Sequence, residues 1–306
     1  MINSPAEAFT AYLNMGMRLP KFNALLSTNN STISLERITD IIDDIDAFFF
    51  DGYGVLNIGS TAISGASASI TALQQAGKAV YVVTNAATQN MDALVKKYHD
   101  FGFLIKKEMI VNSREVMMTD FVTQTSFELS IGVIVPELYR PVTMNYHEIY
   151  PENEAFWDAD VFLFLSGQNW NSQRQDRWLE ALYQRPRPIW VGNADLIAPL
   201  EQGVSHEPGS YTLTLPDELY RHVHCYGKPF QPIFERALNL VKKQYGYEDR
   251  SRMVMVGDTL HTDILGAAAM GMKTALATGF GFLRHLDVNE SIRQSGIVPD
   301  YLLSSI

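Results

Sequence analysis

Cysteine is nearly absent from this chain of 306 residues: Cys225 is the only one. That excludes an internal disulfide and a cysteine-built zinc cluster, and the residue reads as a small buried side chain. Long apolar runs are missing as well. No stretch approaches the ~18 residues of a membrane span, and the opening MINSPAEAFTAYLNMGMRLP lacks the basic-then-apolar order of a secretory signal. A cytoplasmic protein is expected. Positive charge is in deficit, with 24 Lys and Arg against 34 Asp and Glu and a formal net charge of −10. Nucleic acid and anionic membrane are therefore poor partners. A phosphorylated small molecule stays compatible, because a metal and a few local donors can reverse the sign inside one cleft. Internal repeats and low-complexity tracts are also lacking.

What is present is ordinary material for a globular enzyme, 46% apolar and 19% charged, at a length suggesting about two domains. Residues 1–38 read as an N-terminal helical arm. A short helix over 5–17 is capped by Ser4, a polar turn-rich stretch covers 26–34, and Ser34 is placed to cap a second short helix, LERITDIID. Beyond the arm, strand and helix alternate. AFFF (47–50), AVYVVTN (79–85), SIGVIV (130–135), DVFLFLS (160–166), PIWVGN (188–193), MVMVGD (253–258) and KTALATG (273–279) are apolar runs suited to strands covered on both faces. Helical patterns at 67–77, 89–102, 175–183, 232–246 and 261–271 fall between them. This order predicts an α/β fold with a Rossmann-like parallel sheet as its core.

Three of these strands end in polar signatures: Asp51, then Thr84-Asn85, then Gly257-Asp258. Carboxyl ends of parallel strands lie along one edge, where ligands bind. Each signature alone is ordinary turn chemistry. Together with Lys228 in YGKP, in this order, they suggest one cleft built from distant segments.

The stretches FFFDGYGVL, VVTNAATQN, YGKPFQPIFERAL and VMVGDTLHTDILGAAAMGMKTALATG resemble the four motifs of the haloacid dehalogenase superfamily, in its phosphatase branch with a large α/β cap, over roughly residues 40 to 282. The resemblance implies a Mg²⁺-dependent phosphatase acting on a small phosphorylated metabolite. Asp51 would attack phosphorus and form an aspartyl phosphate, dividing one hard step into two. Asp51, Asp258 and the backbone carbonyl of Tyr53 would hold Mg²⁺. Asp263 would hold a metal-bound water or orient Lys228. Lys228, the Thr84 hydroxyl and the Asn85 amide would neutralise the phosphoryl oxygens.

About 140 residues separate Asn85 from Lys228, where one helix and a short connection would suffice. The surplus has its own strand–helix alternation and reads as an inserted α/β cap domain over 113–215, leaving 39–112 and 216–306 as a discontinuous core. Within it, VGNADLIAPLEQG (191–203) resembles the cap stretch that returns to the active site, with Asn193 and Asp195 as substrate-facing candidates. Trp157, Trp170, Trp178 and Trp190 all fall in the insertion, as an aromatic cap core or as a surface for self-association through the cap.

Tyr53 departs from the phosphatase pattern, which has an aspartate two residues after the nucleophile to protonate the leaving oxygen and then activate water. A phenol of pKa ~10 is a poor substitute, and losing general acid–base help costs ~10²–10⁴ in rate. Three readings stay open on the sequence alone. One is a phosphatase with its acid/base lost or moved, another group such as His261 handling the proton. The second is a catalytically weak Mg²⁺ and phosphate-ligand binder. The third, least favoured, is a metal-free dehalogenase-type hydrolase.

Overall fold

In the computed structural model, residues 2–21, 32–143, 145–199 and 203–306 are described. Seven strands form one parallel sheet in the order Ile33–Ser34, Tyr301–Leu303, Lys273–Ala277, Met253–Gly257, Ala47–Phe50, Ala79–Thr84, Ile110–Asn112. Its centre is wholly apolar: Ala47–Phe50 is buried on both faces between Met253–Gly257 and Ala79–Thr84. Helices Ala66–Gln75 and Gln231–Tyr245 pack on the strand Ala79–Thr84. Phe48, Phe50, Val80 and Val82 point into one apolar layer, and Phe49, Tyr81, Met253 and Met255 into the other. This is the period-two alternation of a sheet covered on both sides.

A second parallel sheet runs Val223–Cys225, Ile189–Val191, Val161–Phe164, Ser130–Ile134, His147–Ile149. Its strands come from the long segment between Asn85 and Lys228. The tryptophans expected there are interior: Trp157, Trp170 and Trp178 pack with Phe156, Phe162 and Phe164, and Trp190 stacks on Tyr226 at 5.2 Å. The sheet extends past the expected boundary at 215, because Val223–Cys225 pairs with Ile189–Val191. Helix Ser113–Gln124, expected to open the insertion, also packs on Gln231–Tyr245 and on Ile110–Asn112 of the first sheet.

The N-terminal arm differs from the expectation in two places. Helix α1, Pro5–Asn14, is present with Ser4 accepting from the Glu7 amide. Ser34, however, is no helix cap: it pairs as a strand with Leu302. The segment after it forms only a 3₁₀ turn, Ile38–Ile41, with Asp40 accepting from the Glu36 and Arg37 amides. The polar stretch expected at 26–34 lies mostly outside the described residues. No described helix is long and apolar enough to cross a membrane.

Candidate active site

The strand ends converge. Phe50 pairs with Val256 on one side and Val82 on the other, so Asp51 and Asp258 leave adjacent strands at the same edge. Gly54 and Gly281 make room for Asp258. A Cβ on Gly54, which sits at φ +77°, would stand 2.5 Å from Asp258 Oδ2, and one on Gly281 would stand 1.9 Å from it. Beyond Asp258 the backbone widens into a π-helical turn, Leu260–Ile264, an irregularity frequent at functional sites. The turn buries Asp263 completely and carries its carboxylate back to the Thr259 amide at 3.2 Å.

Lys228 lies at the centre, 2% exposed. Its Nζ is 2.6 Å from Asp263 Oδ1 and 2.7 Å from Asp51 Oδ1. Asp51 Oδ1 also accepts from the Gly52 amide at 2.6 Å, which fixes the carboxylate's orientation. Burial by itself would lower the Lys228 pKa. The carboxylates of Asp263, Asp51 and Asp195 more than reverse this, and the ammonium is held above its ordinary range. Asp258 is pushed well above the usual carboxylate range by burial and by the nearby charges of Asp263 and Asp51, although the Phe282 amide and Thr259 hydroxyl stabilise its anion. Asp263 rises to about 6 through burial and Asp51, with Lys228 opposing.

Oxygens of Asp51, Asp258 and Asp263 all lie within 4.8 Å of one another. Three carboxylates around one lysine leave an excess of negative charge, and two of them resist ionising. Hard oxygen donors in this surplus fit a divalent cation of the Mg²⁺ or Ca²⁺ kind.

A cavity of about 50 Å³ opens beside the cluster. Asp51, Tyr53, Asp258 and Asp195 line it, as do Thr259, Thr262, Ile197, Ala198, Phe282 and Tyr12. Asp195 thus faces the cavity. Burial pushes its carboxyl up to about 8, with Asp51 and Asp263 adding and Lys228 and the Asn85 amide opposing.

Other expected residues support the site from behind. Both donors of the Asn85 amide are committed, to Asp195 Oδ1 at 2.9 Å and to the Lys228 carbonyl at 3.0 Å, while its oxygen accepts from the Lys228 amide at 2.7 Å. Asn85 therefore ties the lysine to the loop that carries Asp195, and its side chain has no N–H left for a phosphate. Asn193 accepts from the Asp195 amide and donates to Glu207, so it shapes the turn that presents Asp195 and does not line the cavity. Thr84 accepts from the Ala86 amide and does not line the cavity. His261 lies outside the lining too. It is stacked under Tyr12 at 4.9 Å and against Phe9 at 5.2 Å, with burial bringing its pKa down to about 4.

Thr259, Thr262 and Phe282 were not singled out in the sequence, although both threonines sit inside GDTLHTD, where a polar residue on the Asp258 turn is a natural candidate. Tyr12 gave no such signal, because it lies far outside the motifs.

Comparison with known proteins gives the family. A family model described as haloacid dehalogenase-like hydrolase matches residues 48–145, and a second, HAD-hydrolase-like model matches residues 225–305. The chloroplastic phosphoglycolate phosphatase 1A of Arabidopsis thaliana is 31% identical over 297 residues, covering 90% of this chain and 79% of that protein. This chain belongs to the haloacid dehalogenase-like hydrolases. Human glycerol-3-phosphate phosphatase is 28% identical over 305 residues, covering 90% of this chain and 92% of its own. Among solved structures, a possible sugar phosphatase of the same superfamily from Cytophaga hutchinsonii superposes with a TM-score of 0.78 at 24% identity, over 89% of this chain and 98% of that one. This hydrolase thus shares the fold of that structure.

Proposed function

We propose that this hydrolase is a Mg²⁺-dependent phosphatase that cleaves a small phosphate monoester or acyl phosphate through an aspartyl phosphate on Asp51. The observation that carries the reading is the Lys228 ammonium, buried and bridging Asp51 and Asp263 beside a three-carboxylate cluster. Its relatives described above are themselves phosphatases by name.

The Asp51 carboxylate attacks phosphorus as the bond to the leaving oxygen breaks. Water then attacks the same phosphorus, the bond to Asp51 breaks, and the free carboxylate and inorganic phosphate result. Lys228 shields the approach of one anion to another and holds the carboxylate in line. Asp263 positions Lys228 through their 2.6 Å contact. Asp51, Asp258 and the Tyr53 carbonyl would hold the cation, which supplies charge neutralisation at the phosphoryl oxygens. The apolar cap-loop residues Ile197 and Ala198 exclude water around the leaving group.

Tyr53 favours a second reading, a protein that binds a phosphate ligand without turnover. The two separate with acetyl phosphate, a compact substrate whose acetate leaves without a proton. Phosphate release with Mg²⁺, lost in EDTA and in Asp51→Asn, is the expected result. A Tyr53→Asp variant should then gain activity on alkyl phosphates. No release from wild type, with none recovered in Tyr53→Asp, would replace the phosphatase with the binder.

A further inference from the structure

Both family matches begin well after α1, yet α1 supplies a wall of the active-site cavity. Ala8, Phe9 and Tyr12 form its buried face. The Tyr12 ring lies parallel to His261, 4.9 Å away with 6° between the planes, and meets Phe282 edge-on at 6.3 Å. Its hydroxyl accepts from the Leu196 amide at 3.0 Å, one residue beyond Asp195. A single ring therefore touches the core turn after Asp258, the cap-return loop and the cavity.

The arm is tied down on either side of it. Arg18 donates to the Leu213 carbonyl, pairs with Asp217 and lies 4.7 Å over the Tyr220 ring. At the other end the His206 ring meets the Ile2 carbonyl at 2.6 Å. With α1 seated, the space beside Asp51 is about 50 Å³, against roughly 300–1,000 Å³ for a typical small-molecule site. The space is small for such a site.

We propose that Tyr12 is a specificity-determining residue: its ring closes the leaving-group side of the cavity and restricts the enzyme to phosphate compounds with compact leaving groups. The inference rests on the phosphatase reading for its chemistry, but its test does not need turnover. Methylphosphonate and phenylphosphonate are inert mimics of a small and a large substrate, and their binding in Mg²⁺ is measured by calorimetry. Wild type should bind methylphosphonate and discriminate against phenylphosphonate. Tyr12→Leu and Tyr12→Ala should shift the phenyl-to-methyl affinity ratio by about tenfold or more, in line with the discrimination that apolar pocket contacts provide. Tyr12→Phe keeps the ring and should keep the wild-type ratio.

An unchanged ratio in folded Tyr12→Leu and Tyr12→Ala would overturn the assignment. Equal binding of the two phosphonates by wild type, or binding of neither, would overturn it too. If both shortened variants fail to fold, a wild-type series from methyl- through butylphosphonate decides: affinity must fall as the chain lengthens, and a flat or rising series refutes the wall. Acetyl phosphate turnover by wild type reports separately on the phosphatase reading.

Discussion

Replacing Asp258 with Asn should make the metal-free protein more stable and the Mg²⁺-loaded protein relatively less so. Asp258 shares a 4.8 Å region with Asp51 and Asp263. At that separation two ionised carboxylates repel by about 3.5 kcal/mol at an effective dielectric of ~20. Proton uptake and Lys228 relieve part of this, so removing one charge should raise metal-free stability by roughly 1–3 kcal/mol. Asn fits the space: its oxygen can accept from the Phe282 amide and its NH₂ can donate to the Thr259 hydroxyl, the two partners Asp258 has now. Wild type should gain about 2.7 kcal/mol when Mg²⁺ stands 100-fold above its dissociation constant. The variant, lacking a ligand, should lose most of that gain. Melting curves of both proteins in EDTA and in Mg²⁺ read all four values. A variant less stable than wild type in EDTA, or one with the same Mg²⁺ increment, would refute the charge argument.

Lys228→Met should cost roughly 3–5 kcal/mol by chemical denaturation, since it leaves buried carboxylates without their cation; a loss under ~1 kcal/mol would show that the lysine does not hold the cluster together. Asp195 faces the cavity with its carboxyl raised to about 8 by burial, so if it gives its proton to a leaving alkoxide, Asp195→Asn should slow an alkyl phosphate more than acetyl phosphate, whose acetate needs none; equal slowing would refute that role. Cys225 is half-buried, not fully interior as the sequence suggests, and its desolvation pushes the thiol from an ordinary 9.0 up to about 12. Its ionisation above pH 9 therefore favours the unfolded chain, and the stability it contributes is full below that pH and lost as pH rises toward 12. Stability measured against pH should fall less steeply over that window in Cys225→Ala than in wild type, and parallel curves would refute the assignment.

The central strands were legible because four to six consecutive apolar residues bounded by Gly, Asn or Asp leave little choice of structure, as in AFFF and AVYVVT. Ile33–Ser34, His147–Ile149 and Val223–Cys225 were not, since two or three residues at a sheet edge carry no period. They become strands only because a longer neighbour offers its edge. In the site, Asp51, Lys228 and Asp258 could be named from their order along the chain, and Asp263 from the family resemblance of its motif. The tasks of Asn85 and Asn193 could not, because an amide's role depends on which partners use its donors, and those partners lie up to 143 positions away. Tyr12 lay beyond reach for the same reason.

The wall contributed by α1 also bears on the order in which the molecule is built. Tyr12 leaves the ribosome 184 positions before Leu196 and still earlier than His261 and Phe282, on which its ring rests. Ile33 likewise waits for Tyr301. This helix is therefore made long before it can dock. Until His261 and Phe282 emerge, the Tyr12 ring lacks the residues it rests on and the cavity lacks that wall, so this side of the cleft closes late.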